Sequence, residues 1–506
     1  MNNSKQIKLG AAISYFAIAF NIIAGLIYTP WMISKIGNSN YGLYTLATSL
    51  ITMLMVDFGM SAAVSRFVSK YRAEGDQLAI DRFLGVVYKL YGIIAALAFV
   101  VLAVLYFFIN SIYTNLSAAE METFRGLYVI VGLYSVVSFP FITLNGILNA
   151  YERFIELKLA DLFHKVFIIA AMVVCLLMGQ GVYALVLVNA VAGLLTIAVK
   201  LYFIKKKTKI KVRFGYRDRS MLKEIFTFSA WITVSSLALR LIINITPSII
   251  VAVSATGALG AAIFGVATTV EGYVYTFATA INGMFMPRIA KIVHEGKKQE
   301  QLMPLMQKVG RLQCILLGVL IVGFAAFGKS FIADIWNKPD LVESYICALL
   351  LIIPSFFFLP MQIAKTTLIV ENKVKLEATV FLIVGVLNVA LSAVLSHYYG
   401  AIGAAASIFV AYMIRNVLMI VIYHRVLQLN MLHFFKEVYL KLMPQLLVAL
   451  GIGLLCSRFN PISNVYLRFA TNGCVLVGTY LIIMWFCGFN AYEKGMFKAL
   501  LRKFRK

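Results

Sequence analysis

Runs of roughly twenty mainly apolar residues recur about fourteen times along this chain, and no other feature limits its fold so tightly. A helix rising 1.5 Å per residue needs about 20 residues to cross ~30 Å of hydrocarbon. In lipid every backbone N–H and C=O must be paired within its own segment, which a helix achieves and an open strand does not. The runs lie at roughly 10–33, 41–64, 84–109, 125–148, 161–178, 182–204, 226–253, 260–284, 311–328, 345–369, 378–396, 402–423, 440–457 and 465–488. The expected fold class is an all-α polytopic membrane protein with about 14 transmembrane helices. The start carries two lysines and then an apolar run too long for a signal-peptide core, so it reads as a retained first helix.

Composition agrees. Of 506 residues, 61% are hydrophobic, against about 45–50% in a soluble chain. The formal net charge of +25 suggests nucleic acid at first sight. Its placement argues instead for membrane topology and no nucleic-acid partner. The basic residues gather in alternate short loops: Arg66, Lys70, Arg72 and Arg82; then Lys205 to Arg213; then Arg288, Lys291, Lys297 and Lys298; then the tail. The intervening loops hold little beyond Lys35, Lys329, Lys338 and Arg458. By the positive-inside rule both termini and the 205–223 loop are cytoplasmic, and the basic tail sits against anionic membrane lipids. The six cysteines follow no regular spacing and make neither a disulfide framework nor a metal site.

The chain also repeats itself. Pro30 pairs with Pro247, Ala47-Thr48 with Ala267-Thr268, Arg66 with Arg288, Glu74-Gly75 with Glu295-Gly296, Pro140 with Pro360, and Glu152 with Glu371, all at spacings of 217 to 222. These matches imply two six-helix bundles in parallel orientation, because six helices return the chain to its starting side. The expected division is an N-terminal lobe at 1–204, a basic cytoplasmic linker at 205–225, a C-terminal lobe at 226–424, and an extra helix pair with its tail at 425–506.

Charges inside the spans are the candidate site. An ionised side chain at mid-bilayer costs roughly 2.5–3.5 kcal/mol, so it is kept only where it meets a partner or a wet cavity. Arg240 and Glu271 lie near the middles of consecutive expected helices. They read either as a structural ion pair or as the wall of a cavity that meets phosphate through the guanidinium. Lys365 follows Pro354 and Pro360 in a broken, polar helix, and reads as a cavity lysine or a snorkelling one. Arg415, beside Asn416, is a further cavity candidate. A shift of 220 puts Lys365 on Asn145, so the other half carries a neutral side chain there, and Asn145 is itself a cavity candidate that would bind sugar by hydrogen bonds. Asp57 is an ion or proton site, or a partner for a nearby base. Arg66, Arg288, Glu152 and Glu371 sit at cytoplasmic helix ends and read as gates or loop anchors. His164 and His397 read as interfacial. No phosphate loop of the nucleotide-hydrolase type occurs, nor any metal-ligand spacing, nor a polar domain large enough for a soluble active site. The chain is thus expected to be a transporter rather than an enzyme, without cofactor or metal.

The stretch Gly37-Asn38-Ser39-Asn40-Tyr41-Gly42-Leu43-Tyr44 resembles a known family. So do Asp57-Phe58-Gly59, Ala62-Ala63, Arg66-Phe67, Ser69-Lys70-Tyr71 and Glu74-Gly75-Asp76. The likeness is to the polysaccharide-transport branch of the multidrug/oligosaccharidyl-lipid/polysaccharide exporter superfamily, the bacterial O-antigen and capsule flippases. The resemblance implies movement of polyprenyl-diphosphate-linked oligosaccharide from the inner to the outer leaflet of the cytoplasmic membrane, by alternating access between two lobes. It implies cavity cations that meet the diphosphate, and a polysaccharide polymerase or glycosyltransferases as partners. It further implies that the last helix pair forms a groove for the lipid tail. Two related activities fit the same resemblance: a peptidoglycan-precursor flippase, and a drug/cation antiporter using Asp57.

Overall fold

The computed structural model describes residues 3–216, 219–279, 286–336, 338–371 and 373–495. Among these residues the chain is helical, with no strand. The first part runs through α1 (Asn3–Ile36), α2 (Asn38–Leu54), α3 (Met60–Ala73), α4 (Gln77–Ile112), α5 (Ala118–Ser138), α6 (Leu144–Ala150), α7 (Phe154–Leu177) and α8 (Val182–Lys207). There follow α9 (Arg219–Arg240), α10 (Thr246–Val253), α11 (Gly257–Thr279), α12 (Met286–His294), α13 (Met303–Ser330), α14 (Ser344–Phe358) and α15 (Gln362–Val370). The last are α16 (Val374–Arg425), α17 (Met431–Phe435), α18 (Lys441–Phe459) and α19 (Val465–Ile483).

The internal repeat is written into the turns. Among the described residues, seven glycines have positive φ, a region other residues enter only with strain. Six of them pair across the halves: Gly37 with Gly257, Gly75 with Gly296, and Gly179 with Gly400, at spacings of 220 or 221. Gly75 and Gly296 close their helices identically. The Gly75 N–H donates to Arg72 at 3.2 Å and that of Asp76 to Tyr71 at 3.0 Å. The Gly296 N–H donates to Val293 at 3.1 Å and that of Lys297 to Ile292 at 3.2 Å. This is the left-handed cap that satisfies the last helical carbonyls. Pro140 and Pro360 match as well. Each falls in a short 3₁₀ turn, Phe139–Thr143 and Leu359–Met361, that breaks a span in two, since proline cannot donate to the helix ladder.

Ten helices among the described residues are long and apolar enough to cross a membrane. The number is eleven if the bent segments Ser220–Thr227 and Ser229–Arg240 form one span. This is fewer than the expected fourteen, and part of the difference is continuity. The expected spans 378–396 and 402–423 share the 52-residue α16, yet that helix is not straight. Gly400 has φ 55°, and Ser407 donates to Asn388 Oδ1 at 3.1 Å. Residues 19 apart on a straight helix would be ~28 Å apart. The chain therefore doubles back at Gly400. The expected second span, 41–64, is likewise divided: α2 has 17 residues and ends at an unwound stretch before α3.

By internal packing the chain divides into two compact units, Met1–Gly265 with Val374–Ala411, and Val266–Lys373 with Tyr412–Lys506. Among the described residues the first unit holds two apolar cores. One gathers Phe83, Tyr91, Phe139, Ile147 and Ile204; the other gathers Leu46, Leu102, Phe124, Val131 and Val186. The stretch of α8 between Val186 and Ile204 thus passes between two cores, and Asn189, Thr196 and Lys200 are found there. Gly42 on α2 lets Ala258 approach so closely that a Cβ would lie 1.8 Å from the Ala258 carbonyl oxygen. The basic linker is strapped to α4: Lys211 N–H donates to Asp81 Oδ1 at 2.8 Å, Arg213 N–H to the Asp81 carbonyl at 3.1 Å, and Lys89 to the Tyr216 carbonyl at 3.0 Å.

In the second unit α18 and α19 pack on α13. Tyr480 donates to the Ile315 carbonyl at 2.6 Å. Arg311, buried on α13, binds Glu493 through Nε at 2.7 Å and Nη2 at 3.0 Å. It also donates to the carbonyls of Glu437 at 2.9 Å and Gly488 at 2.6 Å. One guanidinium so fastens both ends of the last helix pair.

Candidate functional site

In the first unit the site begins at the unwound stretch Met55–Gly59. Phe58 and Gly59 have φ 48° and 66°, so α2 cannot continue into α3. Asp57 Oδ1 accepts from the Ser61 N–H at 3.1 Å and its hydroxyl at 3.0 Å, capping α3. The buried Tyr91 hydroxyl donates to the Asp57 carbonyl at 2.6 Å. Unwinding also exposes the Met55 carbonyl, which accepts from Arg240 Nη2 at 2.9 Å. Arg240 ends α9, half-buried, and its Nη1 is buried without a hydrogen-bond partner among the described residues. Asp57 is the acid whose charge acts on it.

Beside this stretch lies a cavity of about 440 Å³ between α5, α6, α7 and α8, with Met55 in its wall. Asn145 lines it and accepts from Lys200 Nζ at 2.9 Å. Lys200, on α8, is buried, and also contacts Asp161 Oδ1 at 3.0 Å. His164 lines the same cavity, with Nδ1 3.0 Å from the Thr196 hydroxyl, and Lys165 lies beside it. His164 is therefore a cavity residue. His397 instead contacts the Val253 carbonyl at 3.1 Å.

In the second unit Arg415 is buried between rings, 4.1 Å from the centroid of Phe358 and 4.3 Å from that of Tyr412. Such stacking suits a weakly hydrated guanidinium in an apolar setting. Its Nη2 donates to Asn416 Oδ1 at 3.2 Å, and Asn416 donates to the Pro354 carbonyl at 3.2 Å. Arg415 is also the charge that acts on Glu271. Arg240 and Glu271 thus each have an oppositely charged neighbour within their own unit. Lys365 is half-buried on α15, directly after the 3₁₀ break.

The expected anchors differ among themselves. Glu371 binds both Lys298 and Lys373, the latter at 2.8 Å. Burial raises its affinity for a proton, but the two ammonium groups outweigh that and hold the carboxyl below its ordinary range. Glu152 is exposed at φ 56°, and Arg66 is exposed with its guanidinium 5.8 Å from the Phe67 ring centroid. Arg288 lies on α12, but its side chain is outside the described residues, as are Asn282 and the tail from 496. No group of three metal-ligating side chains comes together among the described residues.

Lys200, Asp161 and Arg311 were not picked out from the sequence. Lys200 and Arg311 stand close to the ends of their apolar runs, where a basic residue passes for a topology signal. The available hint was that each precedes or follows further helix-forming residues, so its helix extends beyond the charge.

The chain matches the family described as polysaccharide biosynthesis protein over residues 8–293. An uncharacterized membrane protein of Methanocaldococcus jannaschii is 22% identical over 399 residues, covering 75% of this chain and 89% of that one. The fold is similar to that of the lipid II flippase MurJ in an inward closed conformation, with TM-score 0.69 and 15% identity over 93% of this chain and 98% of that one. It is also similar to an inward-facing multidrug resistance MATE family transporter of the MOP superfamily, with TM-score 0.67 and 14% identity over 83% of this chain and 98% of that one. The match covers more than half of the sequence and agrees with the helical repeat, so the chain belongs to the polysaccharide biosynthesis protein family.

Proposed function

We propose that this protein flips a polyprenyl-diphosphate-linked oligosaccharide from the inner to the outer leaflet of a bacterial cytoplasmic membrane, by alternating access of its two repeat lobes, for surface-polysaccharide synthesis. Both termini and the basic linker face the cytoplasm in this reading. Glycosyltransferases supply the substrate and a polymerase consumes it. The protein acts as a transporter, not an enzyme.

Arg240 carries the reading. It ends α9, half-buried, with Nη2 held by the Met55 carbonyl and Nη1 without a hydrogen-bond partner among the described residues. A planar, permanently charged donor fork suits a diphosphate, which cannot cross hydrocarbon unaided. Lys365 and Arg415 are proposed as further contacts in the second half. A drug/cation antiporter would depend on Asp57, but its Oδ1 is engaged by Ser61.

The test is substrate distribution in cells. Arg240→Gln is expected to leave the protein inserted while lipid-linked glycan accumulates on the inner leaflet, and Arg240→Lys to restore part of the transport. If Arg240 serves only to pair with Asp57, the exchange Arg240→Asp with Asp57→Arg will restore transport fully. That result would remove the diphosphate role.

A further inference from the structure

The first-unit cavity is larger than a diphosphate needs, and its chemistry points to what else enters. Its ~440 Å³ lies within the range of small-molecule sites, about 300–1,000 Å³. Two of the three Lys200 N–H donors are engaged, by Asn145 and Asp161, leaving one for an occupant. The two members of the ion pair are unequal: the Lys200 side chain is 11% exposed and that of Asp161 42%. The cation is fixed in the wall, while the carboxylate approaches it from the open side, where its other oxygen lies 3.9 Å from the exposed Lys158 ammonium. Among the lining residues Lys165 is a second ammonium, and Asp161 is the sole carboxylate. Asn145 and Thr196 add an amide and a hydroxyl of the kind that bind sugar hydroxyls. The wall therefore favours a polyol with a negative charge over a neutral or cationic one.

We infer that this cavity holds a saccharide unit bearing a carboxylate, that Lys200 selects it, and that Asp161 is the internal counter-ion it displaces. Met55 is shared by the cavity wall and Arg240, which places the acidic sugar next to the proposed diphosphate contact. The inference rests on the flippase reading and adds the class of glycan carried.

The test uses the full chain in nanodiscs, with glucuronosyl-diphosphofarnesol and glucosyl-diphosphofarnesol as probes in titration calorimetry. The wild type is expected to prefer the glucuronosyl probe by about tenfold, the effect of one modest charge pair. Lys200→Gln is expected to abolish the preference and keep the binding, and Lys200→Arg to retain the preference. Asp161→Asn is expected to widen it, because the competing carboxylate is gone. Arg240→Gln is expected to weaken both probes alike. Equal wild-type affinity for the two probes would overturn the inference and leave the flippase reading intact. So would an unchanged ratio in Lys200→Gln, or an unchanged ratio in both variants with only thermal stability reduced, which is the mark of a structural pair. Failure of the wild type to bind either probe would overturn the flippase reading itself.

Discussion

Among single residues, buried charges divide by how well they are satisfied. Arg311 uses Nε, Nη1 and Nη2, all on groups of the same unit, and its carboxylate partner is 1% exposed. A charge so fully engaged is structural. Removing one member leaves the other buried and uncompensated, at a cost of roughly 3–5 kcal/mol, whereas replacing both by apolar groups is often near neutral. Arg311→Met is therefore expected to lower stability strongly in micelle denaturation, and the double variant Arg311→Met, Glu493→Leu to recover most of it. Loss of equal size in both would show that the carbonyl contacts, not the charge pair, hold the last helices. Arg240 is the opposite case, with a donor left unpaired. From sequence the two arginines could be ranked only by depth in an apolar run. That ranking found Arg240 and passed over Arg311, and it could not tell a satisfied charge from an unsatisfied one, because satisfaction depends on residues more than a hundred positions away.

The helices are set by their ends. Pro140 and Pro360, and the paired left-handed glycines, mark the same breaks in both halves because backbone sterics allow few residues there. Gly400 is the sharpest instance, since it turns α16 into a hairpin. A Cβ there would meet nothing closer than 3.4 Å, so the penalty of Gly400→Ala is conformational, on the order of 1–3 kcal/mol at φ 55°, ψ −134°. A matching loss of stability is expected, with transport retained at low temperature. A silent substitution would mean that the hairpin turn is made elsewhere. The clamp of Lys298 and Lys373 on Glu371 gives a second prediction. The folded-state carboxyl is held below its unfolded range, so its contribution is present at neutral pH and is lost as the medium is acidified through that range. Protection factors in the 297–303 segment, taken relative to the intrinsic exchange rate at each pH, should fall on acidification in the wild type. In Glu371→Gln they should already be low at neutral pH and change little with acid.

For the molecule as a whole, charge asymmetry between loops is the strongest statement about orientation. In a cysteine-free background, Lys211→Cys should resist a membrane-impermeant thiol reagent in intact cells, and Ser463→Cys should react. Labelling of the first from outside would reverse the topology. The strapping of the linker onto α4 through Asp81 matters here as well, since residue 211 must lie on the same side as the start of α4.

Hydropathy, the parallel repeat and the family were legible in the sequence, for a physical reason. Each rests on local quantities: run length against bilayer thickness, proline and glycine at positions of restricted backbone, and charge counts in loops. Glu74-Gly75 and Glu295-Gly296 could be paired before any fold was known, because a left-handed cap needs glycine wherever the chain goes next. The tertiary structure alone decided which charges meet. Asn145 finds Lys200 at a separation of 55 residues and Arg240 finds Met55 at 185, while the charge that acts on Glu271 is that of Arg415. Such partners are chosen by helix packing, and in an apolar environment the partner determines whether a charge is a rivet or a binding site.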